Sequence, residues 1–143
     1  MAAAINPLLV IGAALSAIAA LLHVGCIVFG ASWYRFFGAG ERMARLAEAG
    51  DWRSTAITSV IVAVLSIWAL YALSGAGAIA KLPLLRIGLC VIAAVYSLRG
   101  LAGLLYAAFG ARADATFWWW SSAICLVFGI VHVAGLMQVW SRL

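Results

Sequence analysis

Four long runs of apolar residues constrain this chain more than any other feature of its 143 residues. The hydrocarbon core of a bilayer is about 30 Å thick, and a helix of about 20 apolar residues crosses it. Backbone groups in lipid must hydrogen-bond within their own segment or within a closed barrel. The runs are continuous and do not alternate, which excludes a barrel. They predict four spanning helices, at about residues 7–30, 54–73, 83–109 and 117–140.

The composition agrees with a lipid environment, since 68% of the residues are hydrophobic and 9% are charged. Mean hydropathy is +1.17. Soluble domains carry about 25% charged residues. The formal charge of +5 does not indicate nucleic-acid binding, because the basic residues are scattered at span ends. We expect one all-α membrane domain over residues 1–143, with the first span retained and not cleaved as a signal peptide.

The sizeable polar segment lies between the first two spans, from Gly38 to Ser54. Glu41, Arg45 and Glu48 are spaced by four and three residues, which suits paired charges on a helix. We therefore expect a short amphipathic helix on the membrane surface. Its main interpretation is a solvated connector, and the alternative is a functional lid.

The distribution of lysine and arginine predicts the orientation of the spans. One side holds Arg35, Arg42, Arg45, Arg53 and Arg112, with Arg99 near it. The other side holds Lys81, Arg86 and Arg142. This asymmetry predicts a cytoplasmic connector and termini on the outer side. The triple tryptophan at residues 118–120 is read as an interface anchor.

The two histidines occupy near-copies, LLHVGC around His23 and IVHVAG around His132. At about 1.5 Å per residue, they lie roughly 24 Å and 12 Å from the same side of the membrane. A depth difference of roughly 12 Å argues against a haem held by both histidines within one protomer. Across an oligomer interface the argument is weaker.

The same arithmetic predicts a polar cluster in the inner third of the membrane, formed by His23, Cys26, Tyr96, Arg99 and Cys125. Arg99 either extends its side chain to the headgroups or binds an anionic group such as a lipid phosphate or a carboxylate. His23 and Cys26 are three residues apart on one helix face and are candidate soft metal ligands. The alternative is a hydrogen-bonded buried histidine beside a cysteine that packs as a small apolar residue.

The predicted spans contain no acidic residue, since all four acids, Glu41, Glu48, Asp51 and Asp114, lie between them. A proton-coupled exporter of the small multidrug type needs a carboxylate in its first helix, so that class is excluded. No nucleophile–base set or phosphate loop can be assembled in the membrane either. The glycines Gly100, Gly103, Gly129 and Gly135 are expected to permit close helix packing.

Three stretches, HVGCIVFGASWYRFFGAGERMARLAEAG, LPLLRIGLCVIAAVYSLRGLAGL and FWWWSSAICLVFGIVHVAGL, resemble a group of short four-helix bacterial inner-membrane proteins of unassigned function. The chain is also faintly similar to the four-helix membrane protoporphyrinogen oxidase family. That resemblance rests on His23 followed by the WYRFF run at residues 33–37. The family also uses a lysine on a later helix, whereas Lys81 is predicted in a loop here.

These observations predict a multi-pass bacterial inner-membrane protein with both termini in the periplasm. The leading hypothesis is a binder of a lipid-like or amphipathic small molecule near the cytoplasmic leaflet, through Arg99, Tyr96 and His23. Catalysis is not favoured. One alternative is an accessory or assembly subunit of a larger membrane complex, or a homo-oligomer. Another is a haem- or metal-dependent membrane enzyme that uses His23 and Cys26.

Overall fold

The computed structural model describes residues 5–110 and 115–143. Regular structure in these residues is entirely helical, and four helices are long and apolar enough to cross a membrane. The all-α, multi-pass membrane class is therefore confirmed, and the four long helices are consistent with a four-helix bundle. The helices are α1 (Pro7–Phe29), α2 (Ala31–Phe36), α3 (Glu41–Glu48), α4 (Trp52–Ala76), α5 (Leu85–Phe109) and α6 (Ala115–Val139), followed by a 3₁₀ turn at Trp140–Arg142. The predicted roles of Arg112, Asp114 and the first four residues lie outside the described residues.

The stretch between α1 and α4 contains two short helices where the sequence predicted one. Helix α3 coincides with the predicted amphipathic helix, and α2 precedes it in a stretch that no sequence pattern assigned. Gly30 and Gly40 have φ angles of 70° and 94° at the starts of α2 and α3. Residues other than glycine rarely adopt this backbone conformation. Glycine therefore permits the chain to change direction before α2 and again before α3.

The start of α1 follows from two adjacent residues. The Asn6 side-chain oxygen accepts a hydrogen bond from the Leu9 amide at 2.9 Å, which satisfies one free donor of the first turn. Pro7 occupies the first helical position, where its missing N–H costs nothing. The Asn6 amide nitrogen donates to the side-chain oxygen of Gln138 at 2.8 Å, which ties the start of α1 to the end of α6.

The chain divides into two compact units. The first, called here the α5–α6 unit, comprises Met1–Leu15 and Trp68–Leu143, and the second, the connector unit, comprises Ser16–Ile67. Helices α1 and α4 each contribute one part to each unit.

Helices α5 and α6 pack closely along their length because small residues line their contact. A methyl group on Gly100 would lie 2.6 Å from Leu126, and one on Gly129 would lie 2.6 Å from the hydroxyl of Ser97. The predicted packing role of these glycines is confirmed. An apolar core lies where α5 begins and α6 ends. It is formed by Leu9, Ala76, Leu85, Leu89, Leu136 and Val139.

The connector unit has its own small core and two polar links. Its core is formed by Cys26, Tyr34 and Ala44, with Met43 and Ala47 of α3 packed against it. The Tyr34 hydroxyl lies 2.8 Å from that of Thr58, which links α2 to α4.

The second link in the connector unit is an ion-pair cluster. Arg35 on α2 contacts the carboxylate of Glu41 at 2.9 Å and that of Glu48 at 2.6 Å, so α2 and α3 are joined by one guanidinium. Arg45 contacts Glu41 at 3.3 Å, as their four-residue spacing predicts.

Candidate functional site

Arg99 lies in α5, and its side chain extends toward the N-terminal part of α6. Nη1 donates to the Ser122 hydroxyl at 3.3 Å, and Nη2 donates to the Ser121 hydroxyl at 3.4 Å. The guanidinium carbon sits 4.8 Å from the centre of the Trp118 ring, within the range of a cation–π contact. One arginine thus contacts two hydroxyls and one aromatic face on the neighbouring helix.

This contact forms part of an open groove of about 350 Å³ between α5 and α6. Its lining residues are Arg99, Ala102, Gly103, Tyr106 and Trp118. The walls other than the guanidinium are apolar or aromatic. The Tyr106 and Trp118 rings meet edge to face, with centroids 4.9 Å apart. The arrangement offers one positive charge in an apolar, laterally open groove.

The spacing of two tryptophans predicts that the groove lies near one membrane surface and not at mid-depth. Trp118 and Trp140 are 22 residues apart on α6 and its 3₁₀ extension, which is roughly 33 Å at the helical rise. That length matches the thickness of the hydrocarbon core, and tryptophan favours the headgroup level. Because the Arg99 guanidinium lies against Trp118, we expect its charge to reach the headgroup level although its backbone lies deeper.

The described partners of Arg99 are uncharged. The ion pairs found in the described residues join Arg35 and Arg45 to Glu41 and Glu48, all in the connector unit. A second open hollow, beside α3, contains Glu41 together with Arg42 and Arg45. The groove at Arg99 differs because its positive charge faces hydroxyls and rings.

Tyr96, predicted to act with Arg99, lies one turn earlier on α5 in a cluster of rings. Its ring centroid lies 4.9 Å from Trp68, 5.3 Å from Phe128 and 5.2 Å from His132. Tyr96 is buried and does not line the groove. Its contribution to ligand binding stays a prediction.

His132 is a buried residue whose surroundings the sequence did not reveal. Its side chain is fully enclosed, and its Nδ1 lies 2.8 Å from the Phe128 carbonyl oxygen. A carbonyl only accepts, so Nδ1 carries the hydrogen and Nε2 presents a lone pair. Nε2 is buried without a hydrogen-bond partner among the described residues.

His23 belongs to the connector unit and makes the same local bond as His132. Its Nδ1 lies 2.7 Å from the carbonyl oxygen of Ala19, four residues earlier. The repeated sequence around the two histidines therefore has a common local result, a side-chain bond to the preceding turn of the helix. The role of His23 in ligand binding stays a prediction.

Cys26, the second candidate metal ligand, is buried among apolar residues of the connector unit. Cys26, Cys90 and Cys125 are all free thiols. Over residues 5–110 and 115–143 no group of three or more His, Cys, Asp or Glu side chains is placed to hold a metal ion. The described surroundings of His23 and Cys26 thus add no further ligand to the predicted pair.

The groove partners of Arg99 share a spacing that is visible in the sequence. Residues 99, 102, 103 and 106 follow the i, i+3, i+4, i+7 spacing of one helix face. Trp118, Ser121 and Ser122 follow the same spacing on α6. Because both faces carry small or polar residues beside one aromatic, matching them would have indicated that they meet.

Comparison with known proteins adds no relative: no family model, no curated protein and no solved structure matches the chain.

Proposed function

We propose that the protein binds an amphipathic, lipid-like molecule with an acidic headgroup in the groove between α5 and α6. The main support for this proposal is the position of the Arg99 guanidinium, which lies over Trp118 in an open apolar groove. Its described hydrogen-bond partners are uncharged. A charge within a membrane helix is costly and normally serves a partner or a cavity. An acidic headgroup supplies the opposite charge at the depth where the guanidinium lies.

The apolar part of the ligand follows from the surface beside the groove. Leu98, Leu101 and Leu105 lie along one face of α5 and have exposed fractions of 65%, 53% and 52%. This face adjoins the groove residues by one step around the helix. A molecule whose headgroup meets Arg99 can therefore lay its hydrocarbon tail along these leucines.

The proposed location is the cytoplasmic leaflet of a bacterial inner membrane, with both termini in the periplasm. The arginine-rich connector supports this orientation by the positive-inside rule. If each long helix crosses once, the connector and the end of α5 face the same compartment. The groove then opens to the leaflet whose anionic lipids attract cationic side chains.

The test is native mass spectrometry of protein extracted in mild detergent, comparing wild type with Arg99→Ala. We expect a lipid-mass adduct on wild type and its loss, by roughly tenfold in occupancy, on Arg99→Ala. Arg86→Ala is the matched control, because Arg86 is also on α5 and also stacks on a tryptophan, Trp140, at 4.4 Å. Equal adduct occupancy in wild type and Arg99→Ala, with both proteins folded, refutes the proposal.

A further inference from the structure

We infer that the headgroup recognised at Arg99 is a phosphodiester with net negative charge, and not a carboxylate or a zwitterionic headgroup. This inference rests on the proposed function and adds the chemical class of the ligand. It follows from the free donors of Arg99, from the directions of the donors around it and from the charge of its described partners.

The first observation is that Arg99 has donors to spare. A guanidinium carries five N–H groups in a fixed planar fork, and the described hydrogen bonds use two of them. Both bonds, at 3.3 and 3.4 Å, are longer than the usual 2.7–3.2 Å range. An oxyanion that accepts from this fork makes shorter, charge-assisted bonds and displaces weak ones.

The second observation is the direction of the donors. Arg99 approaches from α5, whereas the Ser121 and Ser122 hydroxyls approach from α6. Ser122 is fully buried, while Ser121 is partly exposed beside the groove. Ser121 can therefore turn its hydroxyl hydrogen toward a ligand while Ser122 continues to hold Nη1. Donors from two helices suit a tetrahedral phosphodiester, which presents ester oxygens outside the plane of its two charged oxygens. Both oxygens of a carboxylate lie in one plane, which matches the arginine fork.

The third observation concerns charge. The described partners of Arg99 are hydroxyls and an indole ring, so its charge is not balanced among them. A zwitterionic headgroup brings its own cation near the phosphate, where the guanidinium repels it. A headgroup with net charge −1 carries no such cation. The groove should therefore bind a net-anionic headgroup more tightly than a zwitterionic one.

Gly103 acts as a positioning residue for this arrangement. A Cβ on Gly103 would collide with the Ser122 hydroxyl and with Nη1 of Arg99. Only glycine at this position lets the guanidinium fold down against Ser122. A substitution there displaces the charge from the groove while leaving it on the protein.

The experiment is a lipid competition read by native mass spectrometry on the full chain in detergent micelles. The probes are phosphatidylglycerol and phosphatidylcholine with identical acyl chains, oleate as a tailed carboxylate, and inorganic phosphate without a tail. We expect wild type to retain phosphatidylglycerol about tenfold over phosphatidylcholine, and also over oleate. The preference should disappear in Arg99→Ala and persist in Arg86→Ala. Arg99→Lys, which keeps the charge without the fork, should retain part of the preference.

The outcomes separate this inference from the function on which it rests. Retention that depends on Arg99 but is equal for the two phospholipids overturns the net-anionic assignment and leaves the lipid-binding function intact. Stronger retention of oleate overturns the phosphodiester assignment. If inorganic phosphate alone binds as tightly as the lipid, the assignment of the recognised phosphate to a lipid headgroup is overturned. If wild type carries no adduct that disappears in Arg99→Ala, the proposed function itself is overturned.

A pair of glycine variants guards against a folding artefact. Gly103→Ala should abolish the lipid preference, because the added methyl group meets Arg99 and Ser122. Gly88→Ala adds a methyl group on the same helix that would lie 2.5 Å from the Tyr71 ring, away from the groove. Retained preference in Gly88→Ala with lost preference in Gly103→Ala supports the inference. Equal preference in Gly103→Ala and wild type overturns the positioning role.

Discussion

His132 and Gly12 form a contact between α6 and α1 in which neither residue has room to change. The imidazole packs directly on the Gly12 backbone, beneath the Tyr96 ring. A methyl group on Gly12 would lie 2.9 Å from Cε1 and 3.0 Å from Nε2 of His132. The ring cannot retreat easily, because its Nδ1 is held by the Phe128 carbonyl.

We expect Gly12→Ala to destabilise the protein by about 1–3 kcal/mol, the usual cost of overpacking a core. Thermal unfolding in detergent, followed by near-ultraviolet circular dichroism, measures the change. Ala14→Val is the matched control, since it adds bulk to an exposed position of the same helix. The control should stay within about 0.5 kcal/mol of wild type. Similar melting of the two variants contradicts the packing described here.

At the scale of elements, an ion-pair cluster joins the short helices α2 and α3. Neither their length nor their helix propensity is enough to stabilise them alone. Helices of six and eight residues are too short to be stable alone in water. Hydrogen bonds from Arg35 lower the pKa of Glu41 to about 2, and they lower the pKa of Glu48 as well. Hydrogen bonds to Glu41 and Glu48 raise the pKa of Arg35 in turn.

The pairing predicts an acid-sensitive connector. Both carboxylates have pKa values in the folded state below the unfolded value of about 4.3, so they stabilise the connector above that pH. The stabilisation is lost as the pH falls from about 5 toward 2. Amide-exchange protection factors for residues 41–48, corrected for intrinsic rates, should therefore drop across this range. Arg35→Ala should lower protection at neutral pH and weaken the pH dependence, leaving the part that comes from the Arg45–Glu41 contact. Arg42→Ala should behave as wild type. Unchanged protection down to pH 3 in wild type contradicts the role of the cluster.

At the scale of the whole molecule, four long apolar helices indicate a membrane protein, and the distribution of charged residues predicts its orientation. Exposed leucine, isoleucine and valine side chains along the long helices are the surface that lipid covers. The connector carries the densest set of arginines, which the positive-inside rule assigns to the cytoplasm.

We predict that single cysteines in the connector and in the α4–α5 turn label from opposite sides. In a background lacking Cys26, Cys90 and Cys125, Ala78→Cys should react with an impermeant maleimide on intact bacterial spheroplasts. Ala49→Cys should react only after permeabilisation. Labelling of both positions after lysis is the control, and the reverse pattern refutes the proposed orientation.

The four long helices were predictable because each needs only its own composition. A spanning helix satisfies its backbone internally, so a run of apolar residues specifies it without reference to partners. Helix α3 was predictable for a similar reason, since its charge spacing is local. Helix α2 was not, because Tyr34 and Arg35 are held by residues about 6 to 24 positions away.

By itself, the sequence determined the membrane class and the four long helices, and it singled out Arg99 as a charge within an apolar run. Only the tertiary structure decided which groups face that charge. Trp118, Ser121 and Ser122 reach Arg99 because α5 and α6 pack in one register through Gly100, Gly103 and Gly129. Tertiary packing likewise placed Tyr96 among rings rather than in the groove. Register and side-chain direction depend on contacts between helices, and no single run of residues encodes them.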